Sequence, residues 1–230
     1  MVKRLRRILF LVLLLGAAAL IWVWAESRRA PAWYRPPDPT DVAVVEMAEQ
    51  VEYGVVESFH KIRPAEKPWR VRLSDGQINA WLAARLPEWL AHEGSGAWPA
   101  GMGLPQINIT ENGIDVAIQA PVGDGTQLLV SRLAPRIVDG RVRVEVDRVG
   151  VGRVAVPGSP AVSIIELIDR IAPAAGMEGD LARQLADVLT GSGEMDARVS
   201  LADGRRVELL EMACRDGAIE LTSRTLPETE

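Results

Sequence analysis

The chain has one cysteine, two histidines, two phenylalanines and two tyrosines in 230 residues, and each shortage excludes something. Cys214 alone cannot form an internal disulfide, so export to an oxidising compartment would leave no disulfide framework. His60 and His92 show no zinc-type ligand spacing, and each falls near the end of an expected helix, where C-terminal capping is the ordinary role. The G-x-S-x-G, S-x-x-K and H-E-x-x-H patterns of common hydrolases are absent. Positive charge is short as well. Setting aside Lys3, Arg4, Arg6 and Arg7, 22 Lys and Arg face 31 Asp and Glu, a formal charge of −9. That balance excludes the clustered positive surface of a nucleic-acid binder. No long-period repeat or low-complexity array is present.

What is there begins with a membrane signal. The four basic residues precede an uncharged run from Ile8 to Trp24, which as a helix would extend ~26 Å, close to the ~30 Å thickness of a bilayer's hydrocarbon core. The basic cluster places the N-terminus in the cytoplasm, and Trp22 and Trp24 suit the far interface, so the remainder is expected outside the cell membrane. A cleaved signal peptide is the rival, with Val23 and Ala25 as small residues before a cut. The long apolar run and its tryptophans fit an uncleaved anchor better. Residues 1–25 are therefore expected as a signal anchor and 26–40 as a Pro-rich linker. Pro31, Pro36, Pro37 and Pro39 favour an extended spacer there. Residues 41–230 are long enough for one substantial core.

The first helix of the domain is expected with Asp38 as N-cap and Pro39 at its first position. Val42, Val45, Ala48, Val55, Val56 and Phe59 then recur at helical spacing around Gly54. A second helix is signalled twice in "LSDGQINAWLAARLPEWL": Ser74 and Gln77 have capping-box spacing, and Leu73 and Ile78 could form a hydrophobic staple. Ile78, Trp81, Leu82, Arg85, Leu86, Trp89 and Leu90 fall on one broad face. From Ile107 the period becomes alternating. Asn112-Gly113, Asp139-Gly140, Asp203-Gly204 and Asp216-Gly217 mark turns. Ile114, Val116 and Ile118 share one strand face, and Val142, Val144 and Val146 point inward from "RVRVEVDRV", leaving Arg141, Arg143, Glu145 and Asp147 wet. Two further helices are expected, one after Ser159-Pro160 through Ile164, Ile165, Ile168 and Ile171, the other from Glu178 to Thr190. The fold class is α+β, an antiparallel sheet of consecutive hairpins with helices against one face.

Two motifs are set aside on structural grounds. "GVGRVA", Gly150 to Ala155, spells a weak dinucleotide fingerprint, but such a site needs a helix after the glycine turn, and here Val154 and Val156 continue a strand. No cofactor is expected. "NIT" at Asn108 is a sequon by spelling within an expected strand. Cys214, between Ala213 and Arg215 in a strand pattern, suits a small core residue. The seven tryptophans are the unusual abundance. Trp22, Trp24 and Trp33 belong to the membrane region, and Trp69, Trp81, Trp89 and Trp98 cluster around the capped helix. Each suits core packing, while as a group they could line an apolar groove.

The stretch "LSDGQINAWLAARLP" resembles the helix start of YpmS-like and YceB-like bacterial envelope proteins. The passage "LLVSRLAPRIVDGRVRVEVDRVGVGRVAVP" resembles their strand, Pro, turn and strand ending in Gly-x-Val/Leu-x-Val/Leu-Pro. The likeness spans about Val71 to Pro157. It implies kinship with tubular lipid-binding proteins, in which a curved antiparallel sheet wraps a long helix and the gap receives lipid. It also implies that Asn79 is the family's helix asparagine, that Trp81, Leu82 and Trp89 face the sheet interior, and that Val142, Val144 and Val146 lie opposite. The tryptophan content and the extra N-terminal helix depart from the family pattern.

The expected function is a membrane-tethered, non-enzymatic envelope domain that binds or shields a lipid or other apolar ligand between helix and sheet. The expected ligand wall is Trp81, Leu82, Trp89, Val116, Ile118, Val142, Val144 and Val146, with no catalytic or metal site. The alternative is a scaffold with a filled core that docks an envelope protein. A third class, an enzyme using scattered carboxylates, needs two of them to converge in a cleft. Loss of Trp81 or Trp89 to Ala is expected to cost ~3–5 kcal/mol if either is core.

Overall fold

The computed structural model describes residues 2–65, 67–92, 98–99, 101–122, 125–156, 195–201 and 203–227. The two expected helices between Ser159 and Thr190 lie outside the described residues.

The chain opens with α1 (Val2–Ser27), whose Leu9–Ser27 portion is long and apolar enough to cross a membrane, with none of its apolar window buried. That portion spans about 28 Å at ~1.5 Å per residue. α2 (Val42–His60) starts later than expected: Asp41, not Asp38, is its N-cap, and its side chain accepts from the Ala43 N–H at 2.9 Å. Asp38 instead closes the preceding turn, accepting from the N–H and hydroxyl of Thr40.

β1 (Trp69–Ser74) follows, a strand that the helix-start signals at Leu73 and Ser74 had masked. Its Trp-Arg-Val-Arg-Leu alternation buries Trp69 and Val71 and exposes Arg70 and Arg72. α3 (Asp75–Ala84) begins with the expected capping box: Ser74 Oγ accepts from the Gln77 N–H at 3.2 Å and Gln77 Oε1 accepts from the Ser74 N–H at 2.9 Å. The apolar stripe does not continue as one helix. The helix breaks at Arg85, and α4 (Leu86–His92) resumes it. Pro87 explains the break, because it has no N–H to return to Ala83 and its ring disfavours a helical residue before it.

Nine strands complete the described residues: β2 (Gln106–Thr110), β3 (Gly113–Val122), β4 (Gly125–Val138), β5 (Arg141–Val151), β6 (Val154–Ala155), β7 (Met195–Asp196), β8 (Arg198–Ser200), β9 (Arg206–Arg215) and β10 (Ala218–Thr225) follow β1, making the last of them the partner of that first strand. They form two open antiparallel sheets, not one. The first has the order β1-β10-β9-β8; the second has β2-β3-β4-β5-β6, with β7 also paired to β5. The consecutive hairpins follow the alternation read from sequence.

Turn chemistry sets the register. Asp139 and Gly140 both take positive φ, 52° and 71°, the two-residue turn expected between β4 and β5. The β2–β3 loop is Glu111-Asn112, one residue earlier than expected. Gly113 there pairs with Thr110 at φ 132°, and a Cβ on it would strike the Leu133 carbonyl of β4. At Gly150–Ala155 the chain runs strand, turn, strand, with no helix after the glycines.

The main core lies where α3 meets both sheets. Ile107 and Ile109 of β2 and Ile219 of β10 are buried, with Leu73, Ile78, Leu82, Ile114, Val116, Met212, Cys214 and Leu221 packed around them. Ile109 is 1% exposed, so Ile109→Ala falls in the range of ~2–5 kcal/mol for emptying a core site. A second cluster joins Trp69, Val71 and Val207, with the Phe59 ring edge-on to Trp69 at 5.3 Å. α2 packs chiefly on α3. The buried small residues Ala48, Ala80 and Ala83 fit that close approach of two helices.

Candidate functional site

Directly opposed residues in antiparallel strands point to the same face of a sheet, so the register of the second sheet sorts its side chains. On one face lie Ile107, Val116, Ser131 and Val149 in one row, and Ile109, Ile114, Leu133 and Val146 in the next. Ile118, Leu129 and Val151 continue it at one end; Pro135 with Val144 and Ile137 with Val142 continue it at the other. This face is almost wholly apolar. Val142 and Val149 are buried, and Val116, Ile118, Val144 and Val146 are half-buried.

The expected ligand wall is therefore split. Val116, Ile118, Val142, Val144 and Val146 share this face, and Leu82 joins it at the β2–β3 end, packed in the same cluster as Val116. Trp81 and Trp89 do not join them. The Trp81 indole N–H donates to Glu52 of α2 at 2.9 Å, and Trp89, 49% exposed, leans on the Trp81 ring at 6.3 Å. Arg85 lies on the same flank, bonded to Glu49 at 2.8 Å and near Glu52 and Glu88. A helix face that holds six apolar positions and Arg85 serves two neighbours here, the sheets through Ile78 and Leu82 and α2 through Trp81 and Arg85.

Asn79 closes α3 onto the sheet edge. Its side-chain amide donates to the Ile107 carbonyl at 2.8 Å and accepts from the Ile107 N–H at 2.7 Å, satisfying both outward backbone groups of an edge residue. With the apolar cluster beneath it, the gap under α3 is filled at this end.

The opposite face of the sheet is polar and charged, as the alternation implied, yet it is not simply wet. Asp115, Arg132 and Arg148 are opposed across three strands. Arg132 forks onto Asp115 at 2.8 and 2.9 Å, and Arg148 approaches at 3.7 Å, around a carboxylate side chain 5% exposed. Beside them Ala117, Leu128 and Val130 are covered by Trp33 and Tyr34 of the linker. Gln106 pins that cover, accepting from the Arg35 N–H at 2.7 Å and donating to the Trp33 carbonyl at 3.3 Å. Burial raises the Tyr34 phenol above its ordinary range. The linker is thus a packed strap and not a free spacer. The signal in sequence was an aromatic pair set between prolines, which a solvated spacer does not need.

The strap carries the end of α1 onto the sheet. Arg153 N–H donates to the Glu26 carbonyl at 3.1 Å and its Nε to the Ala30 carbonyl at 3.0 Å. Gly152, at φ 57°, lets its backbone meet the Ser27 carbonyl, where a Cβ would collide. Three clefts follow the strap. One of about 590 Å³ is lined by Ser27, Arg28, Thr126, Gln127 and Leu128; one of about 310 Å³ by Trp33, Val130, Arg148 and Arg153; one of about 270 Å³ by Arg35, Asp75, Asn79 and Gln106. None of these three is lined by the expected apolar wall.

Titratable groups are mostly occupied by arginine. Arg224 first and then Arg198 hold the buried Glu208 below the usual carboxylate range, through bonds of 2.8 and 3.0 Å. Arg205 does the same to exposed Asp203. Burial pushes the Cys214 thiol up, away from the reactive thiolate. His60 and His92 each close a helix end, with Nδ1 3.0 Å from the Val56 carbonyl and 2.7 Å from the Glu88 carbonyl. Among the described residues no three His, Cys, Asp or Glu side chains gather as a metal site.

No protein-family model matches the chain, and no curated protein matches it.

Proposed function

We propose that this is a single-pass envelope protein that binds or shields a lipid, or another apolar ligand, on the apolar face of its second sheet, without catalysis. In this reading α1 lies in the cytoplasmic membrane with Lys3, Arg4, Arg6 and Arg7 on the cytoplasmic side and the sheets outside. The supporting observation is the register-aligned apolar face. It extends from Val116 and Ile118 across Leu129 and Leu133 to Val142, Val144 and Val146, while among the described residues α3 meets chiefly β1 and β2, and β9 of the first sheet meets β2 and β4. Because Asn79 and the Ile107 cluster fill the gap beneath α3, the ligand would lie beyond it, along β3 to β5. The resemblance to YpmS-like and YceB-like domains favours the same use. The non-catalytic reading is supported by the two buried carboxylates among the described residues, Asp115 and Glu208, each engaged by arginines.

A second reading, a scaffold that docks an envelope protein, draws on the filled α3 interface and on half-exposed Trp89. Native mass spectrometry of residues 26–230, purified without detergent from a bacterial periplasm, separates the two. One stoichiometric lipid, lost on Val144→Asp, supports the ligand reading. A clean apo mass that persists after incubation with envelope lipids favours the scaffold.

A further inference from the structure

The strap fixes how high the domain sits above the bilayer. Trp24 is the last tryptophan of α1, and Ser27 lies three residues on, about 4.5 Å at ~1.5 Å per residue. The headgroup layer on each side of a bilayer is roughly 5–7 Å deep. Residues that touch Glu26, Ser27 and Ala30 therefore sit within or beside that layer. They include Gly152 and Arg153, by the backbone contacts given above. Arg28 is at the same level, its guanidinium 4.3 Å over the Trp24 ring.

Two clefts lie along the strap, one lined by Arg28 and one by Arg153. The larger combines the Arg28 cation with Thr126, Gln127 and the exposed end of β4, while the exposed apolar surface of α1 continues below it. That is the order of chemistry along a phospholipid, polar head above and acyl chains below. Arginine matches the phosphate through parallel N–H donors, and its stem can lie along apolar surface.

We propose that Arg28 and Arg153 hold the phosphates of phospholipids in the leaflet from which α1 emerges, with the headgroup beside Arg28 seated in the cleft at the start of β4. The site orients the second sheet on the membrane surface. It rests on α1 spanning the bilayer and is independent of the apolar-ligand reading, because it uses the charged strap and not the apolar face.

The test uses the full chain in nanodiscs of phosphatidylglycerol and phosphatidylcholine, released for native mass spectrometry. Wild type should keep bound phospholipid under activation that strips annular lipid. Arg28→Glu should retain about tenfold less, the size expected for losing one charge-assisted bond. Arg72→Glu, on exposed β1 in the other sheet, should retain as much as wild type. Arg28 bonds no strand in the fold, so its variant should keep the wild-type melting temperature; Arg153→Glu loosens the strap as well and serves as the second variant. Equal retention by wild type and Arg28→Glu, or equal loss in Arg72→Glu, overturns the proposal. Displacement of the lipid by inorganic phosphate overturns the lipid assignment in favour of a free anion site.

Discussion

The two faces of the second sheet are built from the same strands and differ in almost everything else. One face presents Val116, Ile118, Leu133, Val142, Val144 and Val146 in aligned rows; the other presents Asp115, Arg132, Arg148 and Gln106 around Ala117 and Val130. The polar face is closed by specific bonds to a strap from α1, whereas among the described residues the apolar face meets α3 at its β2 end and β9 of the first sheet beside β2 and β4. Directional bonds fix position, and apolar contact does not, so the polar face registers the domain on its anchor. The apolar face offers only non-directional contact.

The largest expected effect comes from breaking the polar face at its centre. Asp115→Ala leaves Arg132 facing a buried site without its fork, and should cost about 3 kcal/mol in denaturant unfolding, toward the low end for a broken buried pair because Arg132 is partly exposed. Trp33→Ala should cost about 2 kcal/mol, less than a fully buried ring, and should make the strap cleavable by protease while the sheets stay folded. A protected strap in that variant would mean that the Gln106 and Arg153 bonds hold it without the ring.

On the helix side of the comparison, Asn79→Ala strips both partners from the Ile107 backbone and should cost about 2 kcal/mol, with faster amide exchange at Ile107 than at Ile109. Glu208 gives a pH signature in the other sheet. Its folded pKa lies below the ordinary 4.5, so its stabilisation is complete above about that pH and fades as pH falls through the folded value. Glu208→Gln should therefore lower stability at pH 7 and narrow the gap between pH 7 and pH 3. The smallest effect is Trp89→Ala, under about 1 kcal/mol because the ring is half exposed, and well below the cost of a core tryptophan. A loss of about 4 kcal/mol would place Trp89 in a core.

The alternation in "RVRVEVDRV" carried the apolar face and its register because period 2 leaves one solution once the Asp139-Gly140 turn is set. The capping box at Ser74 and Gln77 was legible for the same reason, being local chemistry. β1 was not, because its short Trp-Arg-Val-Arg-Leu alternation runs straight into the helix-start signals at Leu73 and Ser74, and its partner β10 lies at the far end of the chain. The stripe from Ile78 to Leu90 identified a helix but not its neighbours. Periodicity says that a side is covered, and only packing says that Trp81 meets Glu52 while Leu82 meets Ile107's cluster. The strap is hidden in the sequence because Pro31, Pro36, Pro37 and Pro39 spell an extended spacer whether or not Trp33 and Tyr34 pack. Composition alone could not reveal that Gln106 would bond its backbone.

The proposed function requires acyl chains to contact the apolar face of the second sheet and not the strap-covered face. A phospholipid with a photoreactive diazirine in its acyl chain, reconstituted with the full chain and cross-linked, reads this directly. The account predicts labelled residues at Ile118, Val144 and Val146 in addition to α1, with none at Asp115, Ala117 or Val130. Labels confined to α1, or spread equally over both faces, would contradict it.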